Sequence, residues 1–380
     1  MSTETVFTNA RIVLEDRGVD GTLVIRDGEI AEISEGNVGA GEDFGGDLLI
    51  PGLVELHTDH LEGHYAPRPG VRWNKTAAIQ AHDAQVAASG ITTVFDCLRM
   101  GSDDTDGFEA GEMRAMADAI IGAEREDRLK AQHFLHLRCE VSAANVMEHF
   151  SAFEDEPHVR LASMMDHAPG QRQFADIQQY RRYYKPKRDL DDDAFERFIA
   201  RRQAASEAYA DKHRRMIADH CSKNGISIAS HDDATVAHVQ EAIGLGVRIA
   251  EFPTSFEAAK ASHAAGLSVL MGGPNVVRGK SHSGNIAARD LAAAGVLDVL
   301  SSDYVPFSLL HAPFILAGDE EAGVSLPRAI AMVTATPAKA AGLDDRGRIA
   351  PGLRADLVRV RPTGDVPVVR AVLRAGKRVA

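Results

Sequence analysis

The middle of the chain alternates short apolar runs, rich in β-branched residues, with helical stretches. Runs of this kind, bounded by turn residues, predict buried strands. The eight predicted strands are Leu53–His57, Ile91–Asp96, His133–Glu140, Val159–Asp166, Ile226–Ser230, Val247–Phe252, Leu267–Met271 and Val296–Ser301. Eight strand–helix repeats indicate an α/β fold, a (β/α)8 TIM-like barrel, whose active-site groups lie at the carboxyl ends of the strands. The alternative is an open doubly wound sheet, but no Gly-x-Gly-x-x-Gly follows the first strand, so the barrel is favoured.

Both ends of the chain have a different pattern, in which short alternating segments are separated by Asp and Gly turns. These segments are Val6–Leu14, Thr22–Arg26, Glu29–Ile33, Asp356–Val360 and Val366–Leu373. Two β-rich ends around a β/α middle predict one small discontinuous β-sandwich. We therefore predict a β-sandwich domain from residues 1–50 and 346–380, and a catalytic barrel domain from residues 51–345.

Residues that commonly bind metal ions follow several of the predicted barrel strands. They are His57 at the end of the first strand and Asp59 just after it, Glu140 on the third, His167 after the fourth, His231 after the fifth and Asp303 after the eighth. A polar residue at a strand end can simply mark the start of a loop, and for a single histidine that is the commoner case. Six such residues at the edge where this fold carries out its chemistry are harder to attribute to chance. The sequence therefore predicts a metal site.

The predicted ligand set suits two divalent ions. The pair after the first strand would hold one ion, the two later histidines the other, and Glu140 would bridge them. Two ions about 3.5–4 Å apart can activate a bridging water, lowering its pKa toward about 7. Asp303 would bind the hydroxide or accept its proton as general base. Zinc, manganese and iron all accept mixed nitrogen and oxygen ligands, so the set leaves the metal open.

Composition and charge limit the partners of the protein. A formal net charge of −13 argues against general nucleic-acid binding, although the field in a cleft can still attract an anionic substrate. No apolar run is long enough to span a bilayer, and the first residues lack the pattern of a signal peptide. Three widely spaced cysteines make a disulfide framework improbable. We expect a cytoplasmic protein with no nucleic-acid or membrane partner, and a homo-oligomer, with a dimer as the first guess.

The ligand pattern, the Pro51-Gly52 step before it and the segment Gly347–Val358 resemble the amidohydrolase superfamily over essentially the whole chain. The resemblance implies a metal-dependent hydrolase with a barrel and a small β-sandwich made by both ends. Three features depart from the family pattern. Asp59 stands where the family usually has a histidine, and Glu140 takes the place of the carboxylated lysine. The later histidines also fall on predicted strands four and five, whereas the family places them on five and six.

Four longer motifs carry a more specific resemblance. They are residues 57–73, 165–174, 272–285 and 302–304. These motifs look like those of one branch of the superfamily, the α-D-ribose 1-methylphosphonate 5-triphosphate diphosphatases of the carbon–phosphorus lyase pathway. The resemblance implies hydrolysis of a ribosyl triphosphate to the 5-phosphate, with release of pyrophosphate.

A triphosphate substrate needs basic side chains around it, and the loops after the predicted site strands supply several. The candidate phosphate-binding residues are His64, Arg68, Arg72, Arg172, Arg278, Lys280 and His282. Arginine binds phosphate oxygens through a two-pronged guanidinium, and lysine supplies a mobile point charge. Charged loops can also be merely solvated, and a histidine such as His64 can instead cap a loop.

Two other functions fit the same residues. A cyclic amidohydrolase or deacetylase would direct the same metal ions at a carbonyl group, and the arginine-rich loops disfavour this alternative. A non-catalytic scaffold would keep the fold and lose the site, and the apparently full ligand set argues against it. Uptake of divalent metal would distinguish a scaffold from either enzyme.

Overall fold

The computed structural model describes residues 4–101, 111–174, 176–187, 190–281 and 284–380. The strands are β1 (Glu4–Val13), β2 (Gly18–Arg26), β3 (Glu29–Glu35), β4 (Glu42–Asp43), β5 (Leu48–Pro51), β6 (Leu53–Thr58), β7 (Ile91–Met100), β8 (Gln132–Glu140), β9 (Val159–Met165), β10 (Ser227–His231), β11 (Ile249–Glu251), β12 (Ser268–Gly272), β13 (Val299–Ser301), β14 (Leu357–Arg361), β15 (Val368–Arg374) and β16 (Lys377–Arg378). The helices are α1 (His60–Tyr65), α2 (Lys75–Ala88), α3 (Glu112–Arg125), α4 (Val146–Ser151), α5 (Ile177–Tyr184), α6 (Asp192–Asn224), α7 (Val236–Gly244), α8 (Phe256–Ala264), α9 (Gly273–Arg278), α10 (Ala288–Ala293), α11 (Ser308–Gly318), α12 (Leu326–Ala331) and α13 (Ala335–Ala340). Short 3-10 helices occupy Arg172–Phe174 and Lys185–Lys187.

Strands β6 to β13 form one sheet of eight strands, arranged in chain order. Neighbouring strands pair in parallel, as β8 does with β9 and β9 with β10. A parallel bridge between Thr58 and Asp303 joins the first and last strand ends, so the sheet is nearly closed. The (β/α)8 barrel expected from the sequence is confirmed. Of the later histidines, His167 follows the fourth barrel strand and His231 ends the fifth, the two strands to which the sequence assigned them.

A second sheet unites the two ends of the chain. Its order is β16-β15-β14-β5-β1-β2-β3, with β4 paired to β1. The C-terminal strand β14 pairs antiparallel with the N-terminal β5, so each end completes the other. Buried residues from both ends, among them Ile12, Leu49 and Leu357, form its core. The flanking β structure built from both termini is therefore confirmed, whereas the domain boundaries 1–50 with 346–380, and 51–345, stay predictions.

By its internal contacts the chain divides into two compact units. The first unit contains Met1–Asp96, Ala119–Phe134 and Met271–Ala380, and the second contains Cys97–Asp118 and Leu135–Leu270. The first unit therefore holds the carboxyl ends of β6 and β13, and the second holds those of β8 to β11. Across the described helices, none combines the length and the apolarity needed to cross a membrane.

In the second unit, the long helix α6 anchors the loop that follows β9. Asp191 caps the start of α6 by accepting a hydrogen bond from the backbone of Ala194, and Gly225 ends the helix in a left-handed conformation with φ of 66°. Phe195 of α6 packs with Phe174 of the loop in a buried aromatic cluster. This packing holds the segment that begins at His167.

Candidate metal centre

Three potential metal ligands of the first unit lie together at the carboxyl ends of β6 and β13. Their ligand atoms, on His57, Asp59 and Asp303, all lie within 4.8 Å of one another. The backbone brings them there: Asp59 donates its N–H to the carbonyl of Asp303 at 2.9 Å, and Asp303 donates to the carbonyl of His57 at 3.2 Å. One imidazole and two carboxylates suit a divalent ion. These three residues are called the His57 cluster.

Asp303 holds an unusual backbone conformation at this position. Its φ of 52° lies in the left-handed region, which costs a non-glycine residue about 1–2 kcal/mol, although aspartate tolerates it better than most. Such conformations persist where the surrounding structure imposes them, and they occur often at functional sites. Here the two backbone hydrogen bonds to β6 and its extension impose it. The strained turn thereby places the carboxylate beside His57 and Asp59.

The buried carboxylate of Glu55 holds the backbone next to the His57 cluster by hydrogen bonds. Glu55 is fully buried and accepts hydrogen bonds from the backbone N–H of His57 at 2.7 Å and of Ser302 at 2.5 Å. Burial raises the pKa of Glu55 to about 7, against the lowering effect of these hydrogen bonds. The Ser302 hydroxyl lies 3.1 Å from Nε2 of His60. Glu55 therefore ties the strand that carries His57 to the residue before Asp303.

A second group of potential ligands lies in the second unit, at the ends of β9 and β10. Asp232 Oδ2 is 3.6 Å from His167 Nε2 and 3.4 Å from His231 Nε2. Within the part of the chain that the structure describes, this buried oxygen has no hydrogen-bond partner. A buried carboxylate oxygen without a donor is costly, and a divalent cation bound by these three atoms removes the cost. The donor set therefore fits a metal ion, and these residues are called the His167 cluster.

Each histidine of the His167 cluster is held by a carboxylate on its far side. Nδ1 of His167 donates to Glu140 at 2.7 Å, and Nδ1 of His231 donates to Glu251 at 2.7 Å. These bonds fix the ring orientations and leave each Nε2 directed toward Asp232, as in carboxylate–histidine–metal sites. Glu140 thus contacts Nδ1 of His167, and the bridging role that the sequence suggested for it stays a prediction. The other oxygen of Glu140 accepts a hydrogen bond from the backbone N–H of His167 at 3.1 Å.

Glu140 and His167 form a buried pair whose pKa values shift in opposite directions. Burial by itself would raise the pKa of Glu140, but the charge of His167 outweighs it and lowers the pKa to about 2. Burial would likewise lower the pKa of His167, and the negative charges of Glu140 and Asp232 raise it to about 10. Metal binding at Nε2 therefore requires the loss of one proton from this imidazole.

A third group, in the first unit, resembles a metal site but is an ion-pair network. Asp96 accepts hydrogen bonds from His82 Nε2 at 2.8 Å and from His133 Nδ1 at 2.6 Å. The other ring nitrogen of His133 donates to Asp83 at 3.2 Å. Both nitrogens of His133 are thus occupied as donors, which leaves no lone pair for a metal. His82, Asp83, Asp96 and His133 are called the buried histidine network.

The predicted phosphate-binding residues of the first unit lie at the surface or near it. The exposed cations among them are Arg68, Arg72, Arg278 and Lys280. The Arg72 guanidinium lies over the ring of Tyr65, 5.7 Å from its centroid. His64 Nε2 is 3.0 Å from the side-chain oxygen of Gln85. His282 lies outside the described residues, and the phosphate-binding role of this group stays a prediction.

Arg172, in the second unit, is placed differently from the other predicted phosphate contacts. Its side chain is only 4% exposed, and its guanidinium donates to Asp233 and, at 2.7 Å, to Glu241. Two carboxylates therefore neutralise the charge that the sequence pattern assigned to phosphate. In this arrangement the guanidinium of Arg172 is paired with two carboxylates, and its phosphate-binding role stays a prediction.

Comparison with known proteins agrees with this fold. The model of the amidohydrolase family matches residues 72–380. The chain belongs to the amidohydrolase family. An α-D-ribose 1-methylphosphonate 5-triphosphate diphosphatase of Escherichia coli (strain K12) is 44% identical over 376 residues, which cover 98% of this chain and 100% of the relative. The resemblance inferred from the motifs is thereby confirmed.

Solved structures show the same fold at lower identity. An N-acetyl-D-glucosamine-6-phosphate deacetylase from Mycobacterium smegmatis has a TM-score of 0.64 and 15% identity, with 100% of both chains covered. An enamidase described as a member of the amidohydrolase superfamily has a TM-score of 0.61 and 18% identity, with 100% of this chain and 96% of that chain covered. At these identities the likeness concerns the fold alone.

The structure of this amidohydrolase adds three acidic residues that the sequence pattern did not assign to the site. Asp232 follows His231 directly, Glu251 ends the sixth barrel strand, and Glu55 lies inside the first. Glu251 had a usable signal, because it lies near the carboxyl end of the predicted strand Val247–Phe252, where this fold carries its active-site groups. Glu55 gave none, because a single acidic residue inside an apolar strand points to no particular chemistry.

Replacing Glu251 with Gln tests whether this carboxylate supports metal binding in this amidohydrolase. The change keeps the size of the side chain but removes the charge that holds His231. We expect a loss of about 10–100-fold in divalent-metal affinity, the usual effect of removing a partner of a metal-binding histidine. Competition with a coloured chelator measures it. The matched control is Glu257→Gln, at an exposed glutamate in the first turn of α8. Equal affinity in both variants would show that Glu251 has no such role.

Proposed function

We propose that this protein is a metal-dependent diphosphatase. It hydrolyses α-D-ribose 1-methylphosphonate 5-triphosphate to the 5-phosphate and pyrophosphate, as a step in the use of phosphonates. The observation that carries the proposal is the 44% identity to the Escherichia coli diphosphatase, because it extends over 98% of this chain and the whole of that enzyme. Family membership and the two metal-like donor sets support the hydrolytic chemistry.

The two donor sets supply sites for two divalent ions in this proposal. The His57 cluster binds one ion and the His167 cluster the other, with Glu140 and Glu251 orienting the two histidines of the latter. Zinc, manganese and iron all suit imidazole and carboxylate ligands. When bound, such ions act as Lewis acids and lower the pKa of a coordinated water.

Asp303 is the proton acceptor of the proposed reaction. It lies in the His57 cluster, where its carboxylate is close to the other two potential ligands. The water oxygen attacks the α-phosphorus in line, Asp303 takes its proton, and the bond from the α-phosphorus to the bridging oxygen breaks. Pyrophosphate leaves with the electron pair of that bond. Exposed Arg68, Arg278 and Lys280 are proposed to hold its charge.

The proposed partner is a phosphorylated small molecule. A cytoplasmic location and a homo-oligomeric state, with a dimer as the first guess, stay predictions from the sequence. Size-exclusion chromatography with light scattering measures the oligomeric state directly.

Phosphorus NMR of the purified protein tests the proposed function. With manganese or zinc added, we offer the ribosyl phosphonate triphosphate, ATP and a dihydroorotate-type cyclic amide in separate reactions. We expect pyrophosphate and the ribosyl 5-phosphate from the first substrate. In oxygen-18 water the label is expected in the 5-phosphate, because attack occurs at the α-phosphorus. Label in pyrophosphate would place the attack on the β-phosphorus instead.

Two controls separate the proposal from its alternatives. Protein stripped with a chelator is expected to be inactive and to recover when metal is restored. Turnover of the cyclic amide alone would contradict the diphosphatase assignment and favour C–N hydrolysis. Protein that takes up no divalent metal would instead support the non-catalytic scaffold.

A further inference from the structure

A row of five charged side chains crosses the second unit next to the His167 cluster. In order these are Asp166, Arg214, Glu241, Arg172 and Asp233, and together they are called the ionic chain. Arg214 donates to Asp166 at 3.0 Å and lies 3.4 Å from one oxygen of Glu241. Arg172 donates to the other oxygen of Glu241 at 2.7 Å, and to Asp233. Glu241 therefore joins two arginine–aspartate pairs.

The ends of the ionic chain adjoin the proposed ligands. Asp166 immediately precedes His167, and Asp233 immediately follows Asp232. Ser206 of α6 also donates to Asp166 at 2.9 Å, so this end is fixed to a long helix. The ionic chain thus links the strand end that carries His167 to the strand end that carries the other two ligands.

Four side chains of the ionic chain are buried, whereas Glu241, which joins them, is 34% exposed. The side chains of Asp166 and Asp233 are each 1% exposed, and that of Arg214 is 8% exposed. Buried ion pairs lose about as much through desolvation as they gain by attraction, so well-packed apolar residues often stabilise a fold equally well. What a chain of directed ion pairs adds is a defined geometry between the elements it joins. Arg172 even holds a left-handed backbone, with φ of 36°, at its place in the chain.

We propose that Glu241 is a positioning residue that sets the spacing of His167 and His231, and so the divalent-metal affinity of the His167 cluster. The inference rests on the metal-binding role given to this cluster under the proposed function. Glu241 is the sensitive point because it contacts both arginines through different oxygens. Without the carboxylate of Glu241, both arginine–aspartate pairs remain in place. They are then no longer linked to each other.

The variant Glu241→Gln tests this inference, with Glu207→Gln at an exposed glutamate of α6 as the matched control. Cobalt is titrated into the metal-free proteins in competition with a chelator, and its visible spectrum reports the ligand geometry. We expect Glu241→Gln to weaken binding about 10-fold, the lower end of effects from residues behind metal ligands, and to alter the spectrum. The urea midpoint of the metal-free protein should match the control. A merely structural role would lower that midpoint and leave the spectrum unchanged.

The outcomes separate this inference from the proposed function. Wild-type protein without any cobalt binding would count against the metal centre itself. Wild type and Glu241→Gln with equal affinity and spectra would overturn the positioning role and leave the metal centre intact. Should Glu241→Gln not fold, Arg172→Lys takes its place, because a single ammonium keeps the charge but cannot span Asp233 and Glu241 as the guanidinium does. Equal cobalt affinity in that variant would also overturn the inference.

Discussion

Asp303→Asn is expected to lower kcat by about 10²- to 10⁴-fold, the usual contribution of a general base, while the protein still binds divalent metal. The asparagine oxygen can remain a ligand, but the amide cannot accept a proton from the attacking water. The substitution also suits the site, since asparagine tolerates the left-handed backbone that Asp303 adopts at φ of 52°. A coupled assay for pyrophosphate gives the rate, and elemental analysis gives the metal content.

The comparison needs a control and a second readout. Asp290→Asn changes an exposed aspartate of α10 and should leave kcat and metal content unchanged. KM for the triphosphate should change little in Asp303→Asn, because the lost proton transfer belongs to the transition state. Full activity with normal metal content would contradict the role of general base. Loss of metal together with activity would make Asp303 chiefly a ligand.

The sequence could predict which strand ends bring potential metal ligands together, because the fold itself determines which residues meet; that these residues bind metal stays a prediction. In a parallel barrel every strand leads its next residues to one edge, so strand ends far apart in sequence become neighbours. His57 and Asp303 illustrate this: 246 positions separate them in sequence, yet β6 and β13 close the barrel and bring their ligand atoms within 4.8 Å. His167 and His231, which follow adjacent strands, meet Asp232 for the same reason.

The sequence could not predict the detailed role of each side chain. A glutamate at a strand end can bind a metal or stand behind a histidine, and spacing does not distinguish these roles. In the structure the oxygens of Glu140 accept hydrogen bonds from His167, and its role as a metal ligand stays a prediction. Arg172 shows the same limit, since its two carboxylate partners lie 61 and 69 residues away. The spacing of residues along the chain does not show which carboxylates an arginine in a loop will contact.

The buried histidine network is expected to make the stability of the protein fall as pH rises above neutrality. Burial alone would lower the pKa of His133, but the charge of Asp96 and the hydrogen bond to Asp83 raise it from 6.5 to about 10. A group with a raised pKa stabilises the fold fully below its unfolded value and loses that contribution as pH rises through the folded value. The contribution of His133 is therefore complete below pH 6.5 and lost by about pH 10.

Asp96 acts in the opposite pH range. Burial would raise its pKa, and the charge of His133 lowers it below the ordinary value of 3.8. Its stabilisation is therefore present above that value and lost only in strong acid. Between pH 6.5 and 10 the aspartate stays ionised, so the change in that interval belongs to the histidine.

His133→Ala is expected to lower the free energy of unfolding at pH 6.5 by about 3–5 kcal/mol, because it leaves Asp96 and Asp83 buried without their cation. Urea unfolding from pH 6.5 to 10 measures both the loss and its pH dependence. The gap between wild type and variant should narrow as pH rises, since wild type loses what the variant already lacks. His158→Ala, at a partly exposed histidine paired with Glu156, should run parallel to wild type. A constant gap for His133→Ala would mean that His133 is neutral in the folded protein, and that the network is held by hydrogen bonds without charge.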